Sequence, residues 1–319
     1  MNDLAENFVA RAPTTEDFRA VADLILASDL AGFGEPDYLE EELLAEWKDL
    51  DLETDAWVVV TPGGELAGYA AIEQRVPALI FAEGYVHPRY TGHGVGSALI
   101  RLTEARARER ASLARPETRV SLNNTINGRD RAARQLLERE GYEAVRHFWR
   151  MAIELEEAPE PELPEGVSIR ACVPGQEEHA IFKALDEALR DHWEHLPTTF
   201  EEWERRKKRF GFDPGLWLLA VDDDEIAGAA VSEDRSGTGW VNELAVKRLW
   251  RRRGLGLALL RRAFAEFHHR GIRKVALAVD SQSLTGATRL YERAGMRIER
   301  LYSLYRKELR PGEQPAKPV

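Results

Sequence analysis

The chain has 319 residues, 44% hydrophobic and 31% charged with 24 glycines, which is long enough for two domains of about 150 residues, each with its own core. A formal net charge of −11 argues against a nucleic-acid partner, since phosphate binding needs a net basic face, and the single cysteine, Cys172, excludes an internal disulfide and any cysteine-built metal cluster. No apolar run approaches the roughly 20 residues of a bilayer span, and the first residues are acidic where a secretory signal is basic and then greasy, so a cytoplasmic protein with no membrane partner is expected.

In chain order, "WVVVTPGGELAGYAAIE" from Trp57 reads as strand, turn and strand, and "YTGHGVGSALI", Tyr90 to Ile100, as a glycine turn opening a helix. "EEAPEPELPEG", Glu156 to Gly166, carries three prolines and five glutamates and reads as an extended linker. The earlier pattern then returns. "WLLAVDDDEIAGAAVSE" from Trp217 matches the stretch from Trp57, so that Trp57 pairs with Trp217, Gly68 with Gly228, Glu83 with Glu243, Gly94 with Gly254 and Gly96 with Gly256. After a shorter connection, Ala133, Gly141 and Leu155 pair with Ala287, Gly295 and Leu309. A unit of about 150 residues is far longer than a solenoid repeat and means two whole domains.

The second copy continues through a strand "WVNELAV", a turn "WRRRGLGLALL" at Trp250 to Leu260, and a helix in which Leu255, Leu259, Leu260, Ala263, Phe264 and Phe267 recur at 3 to 4 residue spacing up to Gly271. A strand "KVALAV", a helix "GATRLYERAG" closed by Gly295 and a strand "LYSLYRKEL" follow, and "PGEQPAKPV" from Pro311 reads as a disordered tail. Strands interleaved with helices give an α/β layered fold. The expected domains are 1–155 and 167–310, joined by the linker 156–166 and followed by the tail 311–319.

A strand, a glycine turn and a helix N-terminus make an anion site, because the first N–H groups of a helix lack intrahelical partners and its dipole favours negative charge. Gly254 and Gly256 remove the Cβ atoms that would keep a phosphate off those amides, and Arg251, Arg252 and Arg253 add charge. Plainer readings compete: the glycines are conformational, or the arginines are a solvated face. A dinucleotide fingerprint fails, since its third glycine is Leu259 in one copy and Leu99 in the other.

The stretch Val246 to Leu260 resembles motif A of the GCN5-related N-acetyltransferases, Q/R-x-x-G-x-G/A, filled by Arg251, Gly254 and Gly256. "VDSQSLTGATRLYERAGM", Val279 to Met296, resembles their motif B, with Tyr291 four residues before Gly295. Two such domains in one chain are similar in layout to the tandem acetyltransferases that include the mycothiol synthases. The resemblance implies two domains that each have a mixed central sheet flanked by helices, and acetyl-CoA as co-substrate with no metal. It implies that Arg251, Arg252, Arg253, Gly254, Leu255, Gly256, Leu257 and Ala258 hold the pyrophosphate. The pantetheine arm is then expected in a splay between "WVNELAV" and "KVALAV", against the backbone of Leu244, Ala245 and Val246.

Acetyl transfer to an amine needs a free amine, support for the oxyanion and a proton for the leaving thiolate. Glu243 is the candidate base, and the resemblance makes Tyr291 the candidate donor. The first copy has Leu137 and Thr91 where the second has Tyr291 and Arg251, so it is expected to be non-catalytic. Val86, Gly92, Gly94, Gly96 and Ser97 could still admit coenzyme A there, with Arg89 and His93 partly replacing the missing charge. His192, Trp193 and His195, with Glu201 and Glu202, are candidates to receive the acceptor, a small-molecule amine or a peptide N-terminus. The expected activity is N-acetylation by the second domain; acetylation of a cysteinyl amine, as in mycothiol synthases, and non-catalytic acyl-CoA binding are the alternatives.

Overall fold

The computed structural model describes residues 4, 7–190, 193, 198–208, 212–283 and 286–313. They fall into two units: residues through His147 with those from Tyr302 onward, and Phe148–Leu301.

In the first unit, β1 (Val9–Arg11) precedes the helices α1 (Phe18–Phe33), α2 (Glu40–Asp49) and α3 (Leu52–Asp55). Next come β2 (Ala56–Val60), β3 (Leu66–Val76), β4 (Leu79–Val86), α4 (Val95–Arg110), β5 (Val120–Asn127), α5 (Arg131–Arg139) and the start of β6 (Glu143–Glu154). Strands β1 to β4 are antiparallel neighbours, and β4 pairs with β5 in parallel.

The second unit repeats the plan. It contains β7 (Val167–Ala171), α6 (Glu178–Leu189), α7 (Phe200–Lys207), β8 (Trp217–Asp222), β9 (Glu225–Arg235) and β10 (Thr238–Val246). These are followed by α8 (Leu255–His269), β11 (Lys274–Asp280), α9 (Ala287–Arg293) and β12 (Arg297–Arg310). Strands β7 to β10 are antiparallel and β10 pairs with β11 in parallel, so both sheets are mixed. The spacing in α8 is realised: Leu255, Leu259, Leu260, Ala263, Phe264 and Phe267 are all buried.

The last strand of each sheet crosses over. Phe148–Glu154 of β6 runs antiparallel to β11, and Tyr302–Arg310 of β12 runs antiparallel to β5. The repeat assigns residues 148–155 to the first domain and 302–310 to the second, whereas the units take them the other way. Sequence similarity follows ancestry, and hydrogen bonding follows the sheet. Each sheet is packed on both faces: in the second unit Trp217, Leu219 and Val231 lie against Ile181 and Leu185 of α6, and the alternate residues Leu218, Ala220 and Ala230 against Leu255 and Leu259 of α8. The crossing strands join these cores, with Met151 and Leu155 packed among Phe264, Val275 and Tyr291, and Tyr305 among Leu122 and Leu137.

The tail expectation is corrected from its first residues. Glu313 N donates to Glu117 O at 2.8 Å and Arg119 N to Glu313 O at 2.8 Å, while the Arg310 guanidinium bonds the carbonyls of Ala111 and Thr118, each at 3.0 Å. Backbone pairing therefore overrides the polar, proline-rich composition as far as residue 313; residues 314–319 lie outside the described residues. The linker 156–166 has neither helix nor strand. Among the described residues no helix is long and apolar enough to cross a membrane.

Candidate active site

The parallel ladder between β10 and β11 joins only Thr238–Trp240 to Lys274–Ala276, and beyond it the strands part. A bulge between Val241 and Glu243, where β10 gains a residue against β9, re-aims the chain at the mouth of the opening. Leu244, Ala245 and Val246 stay paired to β9 on their other edge, which leaves backbone groups directed into the splay.

Past Val246 the chain turns into α8. Arg252 has φ 66° and Gly254, the N-cap, φ 88°. Only glycine adopts the latter without strain, and nothing lies within 4 Å of where its Cβ would be, so the approach to the first helix amides is open. The Arg252 guanidinium has no partner among the described residues, and Arg253 lies 3.5 Å from Asp222 with its side chain 45% exposed. Arg252 is thus open to an anion, whereas Arg253 shares its charge with Asp222.

Two residues of this turn carry a packing or bonding role within the protein. A Cβ on Gly256 would come within 2.8 Å of Leu290 Cδ1, so this glycine makes room for a side chain of α9; Gly96 does the same for Leu136 Cδ2 at 2.8 Å. Arg251 is occupied by the protein: its Nε donates to Val246 O at 3.0 Å and a terminal nitrogen to Ala188 O at 2.8 Å. It caps the carbonyl end of α6.

Tyr291 is 9% exposed in the core of the second unit, and burial pushes its hydroxyl up to about 12. Among the described residues the hydroxyl has no hydrogen-bond partner. Glu243 is held from α7: Trp203 Nε1 donates to Oε2 at 3.1 Å and Lys207 Nζ sits 2.8 Å from Oε1. Sequence reasoning missed Trp203 and Lys207. Their signal was a four-residue spacing, which puts both on one helix face.

Of the acceptor candidates, His192 and His195 lie outside the described residues, and Trp193 stands in a turn. Glu202 is a capping residue, accepting from Thr199 N at 3.2 Å while Thr199 Oγ1 accepts from Glu202 N at 3.2 Å; that bond to Thr199 draws its carboxyl below the ordinary glutamate value. Among the described residues no group of three or more His, Cys, Asp or Glu could hold a metal.

The first unit has the same parted strands, since β4 and β5 pair only from Leu79–Ala82 to Ser121–Asn124. A cleft of about 610 Å³ opens there, reaching from Glu83 past Val86 to Thr91, Gly94 and Ser97. Leu137 is buried where the second unit has its tyrosine. The charge expected of Arg89 and His93 is partly used: Arg89 lies 3.7 Å from Glu65, and His93 stacks on Phe8. Ser97 is buried and accepts from Arg139 at 3.4 Å.

The model of the acetyltransferase (GNAT) family matches residues 19–142 and again 179–296. The chain is 32% identical over 247 residues to a mycothiol acetyltransferase of Saccharopolyspora erythraea, covering 75% of this chain and 81% of that protein. A GCN5-related N-acetyltransferase from Sphaerobacter thermophilus superposes with a TM-score of 0.88 at 42% identity, over 98% of this chain and 99% of that one. A tandem GNAT protein from the clavulanic acid biosynthesis pathway shares the fold, with a TM-score of 0.71 at 17% identity over 96% and 99% of the two chains.

Proposed function

Because the chain belongs to the GNAT acetyltransferase family and is an N-acetyltransferase, we propose that its second unit binds acetyl-CoA and carries out the transfer to a primary amine. The observation that carries this reading is the parted β10–β11 pair ending in the open turn at Arg252–Leu255, with Tyr291 and Glu243 in the same unit. Acetyl-CoA supplies an activated acetyl thioester. The amides at Leu255–Leu257 and the cations of Arg252 and Arg253 hold its pyrophosphate, and backbone groups of Leu244–Val246 align the arm in the splay.

Glu243 takes the proton of the acceptor ammonium, and Tyr291 gives one to the departing thiolate. A phenol raised to about 12 stays protonated at neutral pH and is therefore always ready as the acid. The cleft of the first unit is a second coenzyme A site without turnover, because Leu137 has no proton to give. The acceptor is a small-molecule amine or a peptide N-terminus, and the mycothiol acetyltransferase relatives make cysteinyl amines the first compounds to screen.

The test is Arg252→Gly, which removes the charge while relieving the positive φ. Calorimetry is expected to show coenzyme A affinity in the second unit falling about tenfold, the size of one charged hydrogen bond, with no loss of thermal stability. Unchanged affinity refutes the placement of the pyrophosphate.

A further inference from the structure

Glu243, read above as the base, already holds an amine. Lys207 Nζ lies 2.8 Å from its Oε1, within the distance at which a carboxylate takes a proton, and the two side chains are 17% and 19% exposed. Trp203, one turn back on the same helix, donates to the other oxygen. An acceptor ammonium that delivers a proton to Oε1 must therefore stand where the lysine ammonium stands now. Beside this pair the bulge of β10 opens the splay that holds the acetyl arm in the reading above, on which this inference rests.

We propose that Lys207 is an acetylation site of the protein's own making, modified by the acetyl-CoA bound in the second unit when no acceptor displaces it. Glu243 takes one proton from the ammonium, and the freed nitrogen lone pair forms the C–N bond to the thioester carbonyl. The C–S bond then breaks, and its electron pair leaves on sulfur, which takes the Tyr291 proton. Glu243 passes its first proton to water and then relays the second nitrogen proton the same way, while Tyr291 takes one proton back from water. The products are acetyl-lysine, free coenzyme A thiol and one released proton. The modified lysine is neutral, so Glu243 loses its ion pair.

Among the described residues the first unit lacks this arrangement. α2 and α7 start 160 residues apart, in the register of the repeat, and the first unit has Trp47 at the position of Lys207. Trp47 is buried and donates to the Tyr69 hydroxyl at 3.0 Å, so this position of the first unit carries no amine to acetylate.

The experiment incubates the full chain with acetyl-CoA and no acceptor and maps acetyl-lysine by peptide mass spectrometry. Coenzyme A binding to the second unit is followed in parallel by calorimetry. Lys207 is expected to label faster than the exposed Lys48 and Lys183, at a rate per molecule independent of protein concentration. Glu243→Gln is expected to slow that labelling about 10² fold while Lys48 and Lys183 label as before. Labelling of Lys207 no faster than of the exposed lysines, or equally fast in Glu243→Gln, overturns the proposal. Binding without a label at Lys207 overturns it while sparing the acetyl-CoA reading; absence of binding overturns both.

Discussion

Burial alone lifts the Tyr291 hydroxyl to about 12, and this has two measurable consequences. Replacing it with phenylalanine is expected to keep coenzyme A affinity and lower kcat by about 10² to 10⁴, the range for losing a general acid, in a thiol-release assay with an accepted amine. The shift also enters stability. A folded-state value above the unfolded 10.0 means that the unfolded chain loses the proton first, so stability declines as pH rises from 10 towards about 12. Urea unfolding across that range is expected to fall less steeply for Tyr291→Phe than for the parent. Tyr291 could be put forward from the sequence because motif B sets a tyrosine four residues before a glycine. The contacts of Arg251 and Lys207 could not be read there, since both depend on what lies beside them in space: the carbonyl of Ala188 and the carboxylate of Glu243.

The glycine turn and the two helices around it show why one motif carries several demands. Gly254 answers to backbone geometry and an open approach, and Gly256 to the Leu290 side chain 2.8 Å from a would-be Cβ. Gly256→Val is accordingly expected to destabilise the second unit by about 1 to 3 kcal/mol through overpacking, and Gly256→Ala combined with Leu290→Ala to cost less than the two single changes summed. Thermal melts of the four proteins decide this. Arg251→Gln is expected to leave coenzyme A affinity within a few-fold and to speed hydrogen exchange in the last turn of α6, where the Ala188 carbonyl loses its cap. A large loss of affinity would return Arg251 to the role the motif suggests. The elements themselves were readable from apolar period and glycine placement, and the parting of β10 from β11 came only through the family resemblance, because the sequence of a strand does not state how far its ladder runs.

At the scale of the whole molecule the two units share a plan and differ in chemistry. Thr91→Trp, filling the turn of the first unit, is expected to change kcat by no more than a few-fold, measured with the same amine. A dead Thr91→Trp enzyme whose second unit still binds coenzyme A would move the active site to the first unit. The repeat made the pairing of the halves visible, yet it hid the crossing of β6 and β12, because the exchanged strands descend from the same ancestor and look alike in either place. That crossing sets an order in time. The sheet of the first unit takes its last strand from Tyr302–Arg310, which is made only after every described residue of the second unit, the last of them Leu301. At about 5 to 20 residues per second the part synthesised first therefore waits on the ribosome for its partner strand, with the edge of β5 unpaired. The usual order, in which the N-terminal domain is finished before the next begins, is reversed for this chain, and its first unit is the one exposed to chaperones and proteases while translation lasts.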